Sequence, residues 1–194
     1  MSTSRHRKPK NGYHHADLRP ALLAAARRML AESGPEALSL REVARKTGVS
    51  HNAPYRHFAD REALLAAVAA EGFAALAERT RAAGAAAAPG KRLGAMGAAY
   101  VRFALEEPNL FRLMFGGAVR GREHPDLAAA GARAYAVLTG EVGVGKESPR
   151  AVAAWATVHG LAHLLLEGQI AAARDDPAAT DRLIAEILGS GPPP

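Results

Sequence analysis

The stretch SLREVARKTGVSHNAPYRHF, from Ser39 to Phe58, constrains this chain more than any other. Ser39 followed by Glu42 is the pattern of a capping box: the hydroxyl accepts a free backbone N–H and the carboxylate reaches back. Leu40, Val43 and Ala44 recur at helical spacing and give this first helix one apolar face. Gly48 stands where a left-handed C-terminal residue is wanted, and Val49 can turn back into the core. Ser50 can cap a second helix, His51 to Phe58. A short helix, a glycine turn and a second capped helix make a helix-turn-helix, whose second helix enters the major groove of DNA. A plain helical hairpin would satisfy the same spacing. It would not gather His51, Asn52, Tyr55, Arg56 and His57 on one short segment. Pro54, at the fourth helical position, removes the first N–H that would bond back into the helix. A short, stiff recognition helix with a slightly distorted first turn is predicted.

Charge supports a nucleic-acid partner. The chain of 194 residues carries a net charge of +6. Residues 1–61 hold 12 Lys/Arg against 5 Asp/Glu, whereas residues 62–194 hold 13 against 14. The positive field therefore belongs to the segment with the helix-turn-helix, as binding to phosphate backbones requires. Residues 1–15 read as a polar, basic tail, either disordered or an arm that touches DNA beside the main site.

GVSHNAPYRHFADREALL, with SLREVARKTG before it, resembles the DNA-binding segment of TetR-family transcriptional regulators. The matching elements are Gly48-Val49-Ser50, then Tyr55-Arg56-His57-Phe58, then Asp60-Arg61-Glu62. Pro54 departs from the family pattern, which more often has leucine or another plain helix former there. Later, Trp155, His159 and Gly160 in AWATVHGLAHLLLEG resemble the Trp-His-Gly class of TetR-family ligand-binding domains. The resemblance implies an all-α fold. It has an N-terminal three-helix helix-turn-helix domain, residues 16–62, and a C-terminal helical ligand-binding and dimerisation domain, residues 63–190.

Composition agrees with helices. Hydrophobic residues make up 48% of the chain and aromatics only 5%. Alanine is abundant, and it is the best helix former. The chain has no cysteine, so disulfide and thiol chemistry are excluded. Nothing at the N-terminus reads as a secretory signal, and no apolar run reaches the roughly 20 residues needed to span a bilayer. A cytoplasmic protein with no membrane partner is expected.

Further helices are predicted from Asp17, from Asp60 to about Ala83, from Lys91 to Glu106, and from Pro125 to Val142. Two more are predicted from Ser148 to about Arg174, and from Asp176 to Leu188. Residues 82–90 read as a linker and Asn109–Phe115 as a short apolar turn. The segment 148–174 is apolar nearly all round, so it must be buried on all sides. In so short a chain this points to a partner subunit, and a homodimer through residues 148–188 is expected.

Ser39, Ser50, Tyr55, His57 and Arg61 are candidates for phosphate contacts. Ser39 and Ser50 would serve equally as caps, and Tyr55 as partial core. His51 and Asn52 stand where base edges are read, and Asn can bond adenine bidentately. Arg56 suits guanine or the backbone. Phe103, Phe111, Met114, Phe115 and Trp155 are bulky groups in alanine-rich helices. They converge either on a plain core or on a pocket for a small apolar effector, the outcome the resemblance implies. His159 would then supply a polar contact. His159, His163 and Glu167 share a helical face, but no cysteine or further histidine completes a metal shell. No metal and no cofactor is expected.

The favoured reading is a ligand-responsive repressor that binds a palindromic operator as a homodimer. The alternatives are a sequence-independent architectural DNA-binding protein and a small helical enzyme. Against the enzyme, the chain has no phosphate loop, nucleophile elbow or zinc motif.

Overall fold

The computed structural model describes residues 18–143, 148–171 and 176–189. Among these are eight α-helices and no strand. They are α1 (Leu18–Ser33), α2 (Leu40–Thr47), α3 (Arg61–Ala86), α4 (Arg92–Glu106), α5 (Pro108–Phe115), α6 (Pro125–Val142), α7 (Pro149–Leu166) and α8 (Pro177–Gly189). The expected cap at Asp17, the basic tail 1–15 and the C-terminal tail lie outside the described residues.

α3 is the axis of the molecule. At 26 residues it is about 39 Å long. Asp60 accepts from the Ala63 N–H and starts it. The alanine-rich stretch expected to be a linker instead continues this helix to Ala86. The alanines around Gly84 favour helix strongly enough to carry it past that glycine, and Pro89 comes only afterwards. α3 packs on α6, α4, α5 and α1. One apolar cluster therefore runs from Leu22, Leu30 and Val43 around the helix-turn-helix to Phe103 and Phe111 in the C-terminal half.

Asn109–Phe115, expected as a turn, is most of the two-turn helix α5, started by Pro108. Leu110, Phe111 and Leu113 of this helix are buried. α7 is shorter than expected. It stops at Leu166 because Gly168 takes the left-handed conformation, φ 61°. The Gln169 N–H then bonds back to the Leu164 carbonyl, which closes the helix end. Nor is α7 covered all round. Ala151, Leu161 and Ala162 are buried, whereas Val152 and Leu164 remain exposed. A smaller cluster of Val101, Leu161 and Ile184 ties α8 onto α4 and α7.

α4 and α8 meet closely at two glycines. A Cβ on Gly94 would lie 2.5 Å from the Leu188 carbonyl oxygen, and one on Gly97 would lie 3.1 Å from the Leu188 side chain and 3.0 Å from Val158 of α7. Any other residue at Gly94 would push α8 away.

Candidate nucleic-acid interface and effector cavity

The helix-turn-helix is built from local signals. Ser39 Oγ accepts from the Glu42 N–H at 3.2 Å. The reciprocal half of the expected capping box is absent, because the Glu42 carboxylate pairs with Arg45, whose Nε donates at 2.9 Å. Gly48 is left-handed, φ 73° and ψ 26°, and the Val49 N–H returns to the Ala44 carbonyl at 3.1 Å. The chain then reverses, and Val49 packs against the core.

The second segment differs from expectation. Residues 51–57 form a turn and a 3₁₀ segment, Pro54–Arg56, not an α-helix. Ala53, Arg56 and His57 donate to carbonyls three residues back. Pro54 has no N–H to offer Ser50 and fixes its own φ, so the four-residue ladder cannot begin where it would in a plain helix. Pro54 itself is buried, as is Phe58. These two anchors turn Ser50, His51, Asn52, Tyr55 and Arg56 outward, all exposed, with His57 half-buried. Tyr55 is 49% exposed, so it is not a core residue. Most of the expected base-reading and phosphate-binding side chains are thus exposed on one short segment, whereas Ser39 is half-buried as the cap of α2.

Arg61 is placed differently. Its Nε donates to the Leu38 carbonyl at 2.7 Å and its guanidinium also reaches the Pro35 carbonyl. It braces the start of α3 against the loop before α2. A phosphate contact would have to compete with both bonds.

In the C-terminal half, α3, α4, α6, α7 and α8 enclose a cavity of about 920 Å³. Of the expected ligand-binding residues, Phe115 and Trp155 line it. Phe103 and Phe111 do not, because both are completely buried in the core. Met114 is spent on α3, where its sulfur lies so close to Gly72 that a Cβ there would meet it at 2.6 Å. His159 is one step behind the wall, its Nδ1 2.8 Å from the hydroxyl of the lining residue Tyr100. Burial raises the Tyr100 pKa strongly, so the phenol stays protonated and donates to His159. Burial first, and then His163, lowers the His159 pKa, which keeps the ring neutral and able to accept. Trp155 Nε1 donates to the same Tyr100 oxygen at 3.4 Å. Sequence reading missed Tyr100, Phe73 and Tyr135, which also line the cavity. Each is a bulky residue among alanines and glycines, the signal used for the others.

Glu167 pairs with Arg112 at 3.0 Å, and among the described residues no three ligating side chains converge.

Two family models match. Residues 22–68 match the bacterial regulatory proteins of the tetR family, and residues 93–187 match the tetracyclin repressor-like C-terminal domain. The chain belongs to the TetR family. Among solved structures, a protein with unknown function from Rhodococcus sp. RHA1 is 34% identical, with TM-score 0.76, covering 93% of this chain and 96% of that one. A TetR family transcription regulator from Marinobacter aquaeolei VT8 is 21% identical, with TM-score 0.61, over 90% and 95% of the two chains. The fatty acid degradation regulator FadR from Bacillus halodurans is 15% identical, with TM-score 0.64, over 90% and 100%. The last two establish likeness of fold. No curated protein matches the chain. As a TetR-family member it is a DNA-binding transcriptional regulator, not an enzyme. Among the described residues no helix is long and apolar enough to cross a membrane.

Proposed function

We propose that this TetR-family chain is a repressor that binds a palindromic operator as a homodimer and leaves it when a small molecule fills the cavity. The observation that carries this reading is that the walls of the cavity are also the supports of the DNA-binding residues. Phe115 lines the cavity at one end of α5. At the other end of the same helix, Asn109 Nδ2 donates to the Leu30 carbonyl of α1 at 3.0 Å. Phe73, Leu76 and Thr80 of α3 line the cavity too, and the first residue of that helix, Arg61, braces the loop before α2. A ligand that shifts either helix moves the helix-turn-helix. To turn a mostly DNA-competent population into a mostly incompetent one, it must favour the second state by about 10⁴, or ~5.5 kcal/mol.

The dimer is supported by the unused face of α7. Val152, Ala153, Ala156, Gly160 and Leu164 are exposed along it, an apolar stripe that a second copy would cover. Two copies related by a twofold axis read an inverted repeat. On DNA, Asn52 and His51 read base edges while Ser39, Ser50, Tyr55, Arg56 and His57 hold phosphates. The domains are a DNA-binding unit, residues 16–62, and an effector and dimerisation unit, residues 63–190, sharing α3.

Footprinting on the DNA upstream of the chain's own gene, with and without candidate effectors, tests the reading. A protected inverted repeat that an effector releases is expected. Asn52→Ala should relax preference at one base position in each half-site, by about 1–3 kcal/mol. Protection without sequence preference would favour an architectural protein instead.

A further inference from the structure

The charges around the cavity select a chemical class of effector. Among the described lining residues Lys91 is the one charged side chain, and none is acidic. It is exposed at the N-cap of α4, next to Gly90, so the part of the cavity wall it forms faces solvent, and we call this end the mouth. Nearby, Arg92 Nε pairs with Glu141 at 3.0 Å, so the neighbouring acid is already neutralised and Lys91 is left uncompensated. Among the described residues it has no ion-pair partner.

The inner end offers nothing comparable. Leu76, Met96 and Ile184 line it, all nearly or fully buried. The Tyr100 hydroxyl there is taken on both sides, donating to His159 and accepting from Trp155. Thr80 and Thr157 each spend the hydroxyl on a carbonyl of the same helix. A charged head pushed into this end would lose its water and find no partner, at a cost of several kcal/mol. A cationic head at the mouth would meet Lys91 and no carboxylate.

We propose that the effector is an anionic amphiphile, its apolar body inside against Phe73, Tyr100 and Phe115 and its acidic head against the Lys91 ammonium at the mouth. This rests on the cavity being the effector site. It adds the sign of the ligand's charge and the direction in which it lies.

Trp155 is the single tryptophan of the chain and lines the cavity, so its fluorescence reports occupancy. The probes are dodecanoate, dodecanol and dodecyltrimethylammonium, the two ions titrated below their micelle concentrations and the alcohol below its solubility limit. Dodecanoate is expected to bind roughly threefold to fivefold more tightly than dodecanol, the effect of a solvent-facing ion pair. That margin should shrink with added salt. Dodecyltrimethylammonium is expected to bind more weakly than dodecanol. Lys91→Met should remove the preference for dodecanoate and leave dodecanol unchanged, while Lys91→Arg keeps it. Binding of the ammonium probe as tight as that of dodecanoate overturns the proposal, as does a dodecanoate preference that survives Lys91→Met. Equal binding of all three probes also overturns it but leaves the cavity as an apolar effector site. If none of the three changes the Trp155 signal, both the amphiphile and the effector site fall.

Discussion

Asn109 closes the end of α1 from a different helix. Its side-chain amide donates to the Leu30 carbonyl at 3.0 Å and to the Ala31 carbonyl at 3.3 Å. The last carbonyls of a helix lack partners within it; the Gly34 N–H reaches the Leu30 carbonyl, and α5 supplies a second donor there and one for Ala31. Alongside, Arg27 of α1 pairs with Glu107 at 3.1 Å. The helix that carries Phe115 into the cavity wall is thereby fastened to the helix that braces the DNA-binding surface.

Asn109→Ala should loosen that fastening. A stability loss of about 0.5–1.5 kcal/mol is expected, the net worth of a hydrogen bond in a partly exposed site. Operator affinity without effector should change by less than about threefold, whereas release by effector should weaken markedly. Equal release curves for wild type and variant, measured by fluorescence anisotropy of labelled operator, would show that α5 does not carry the signal.

Arg61 distinguishes bracing from phosphate binding. With its guanidinium on the Leu38 and Pro35 carbonyls, Arg61→Ala should lower stability by about 1.5–3 kcal/mol, the range for bonds to a charged group. The slope of log affinity against log salt should stay the same, since no released counterion is lost. A slope smaller by about 1 would mean that Arg61 leaves its carbonyls for a phosphate in the complex.

The spacing of Leu183 and Ile187 in α8 points to both as interface residues, and the structure separates them. Leu183 packs on the small cluster around Ile184, which is buried. Ile187 is exposed, as are Val152 and Leu164 of α7, with 38%, 46% and 43% of their surfaces accessible. Val152→Asp with Leu164→Asp should give folded monomers by light scattering, with operator binding weakened at least ~100-fold. A wild type that is monomeric at micromolar concentration defeats the expectation outright.

Stability should also report on the half-buried His159. The His159 pKa lies below its ordinary 6.5 because burial, and then His163, disfavour the charged ring. Below pH 6.5 the unfolded chain therefore takes up a proton that the folded one resists. Its contribution is fully present above that pH and is lost as pH falls toward the folded pKa. The thermal midpoint should drop on acidification from about pH 7 to about pH 5.5, and drop less in His159→Gln. A variant with an unchanged pH profile would mean that other groups set the acid sensitivity.

The sequence by itself determined what depends on neighbours along the chain. The Ser39 cap, the left-handed Gly48 and the apolar spacing of Leu40, Val43 and Ala44 are short-range effects, and the structure contains each of them. So are the start of α6 at Pro125 and its stop at Gly143. Pro54 was visible, but its consequence was not. Whether one missing N–H bends a helix or reduces it to a 3₁₀ turn depends on how Pro54 and Phe58 seat in the core. Tertiary packing alone decided which bulky residues became wall and which became core. Phe103, Phe111 and Phe115 look alike in sequence. The first two point into the space where α3, α4 and α5 close on one another, and Phe115 lies beyond it. Tertiary packing also turned Arg61 inward, because the carbonyls it binds belong to residues 23 and 26 positions away. Periodicity tells which face of a helix is apolar, but the partner that face meets is set by helices far along the chain.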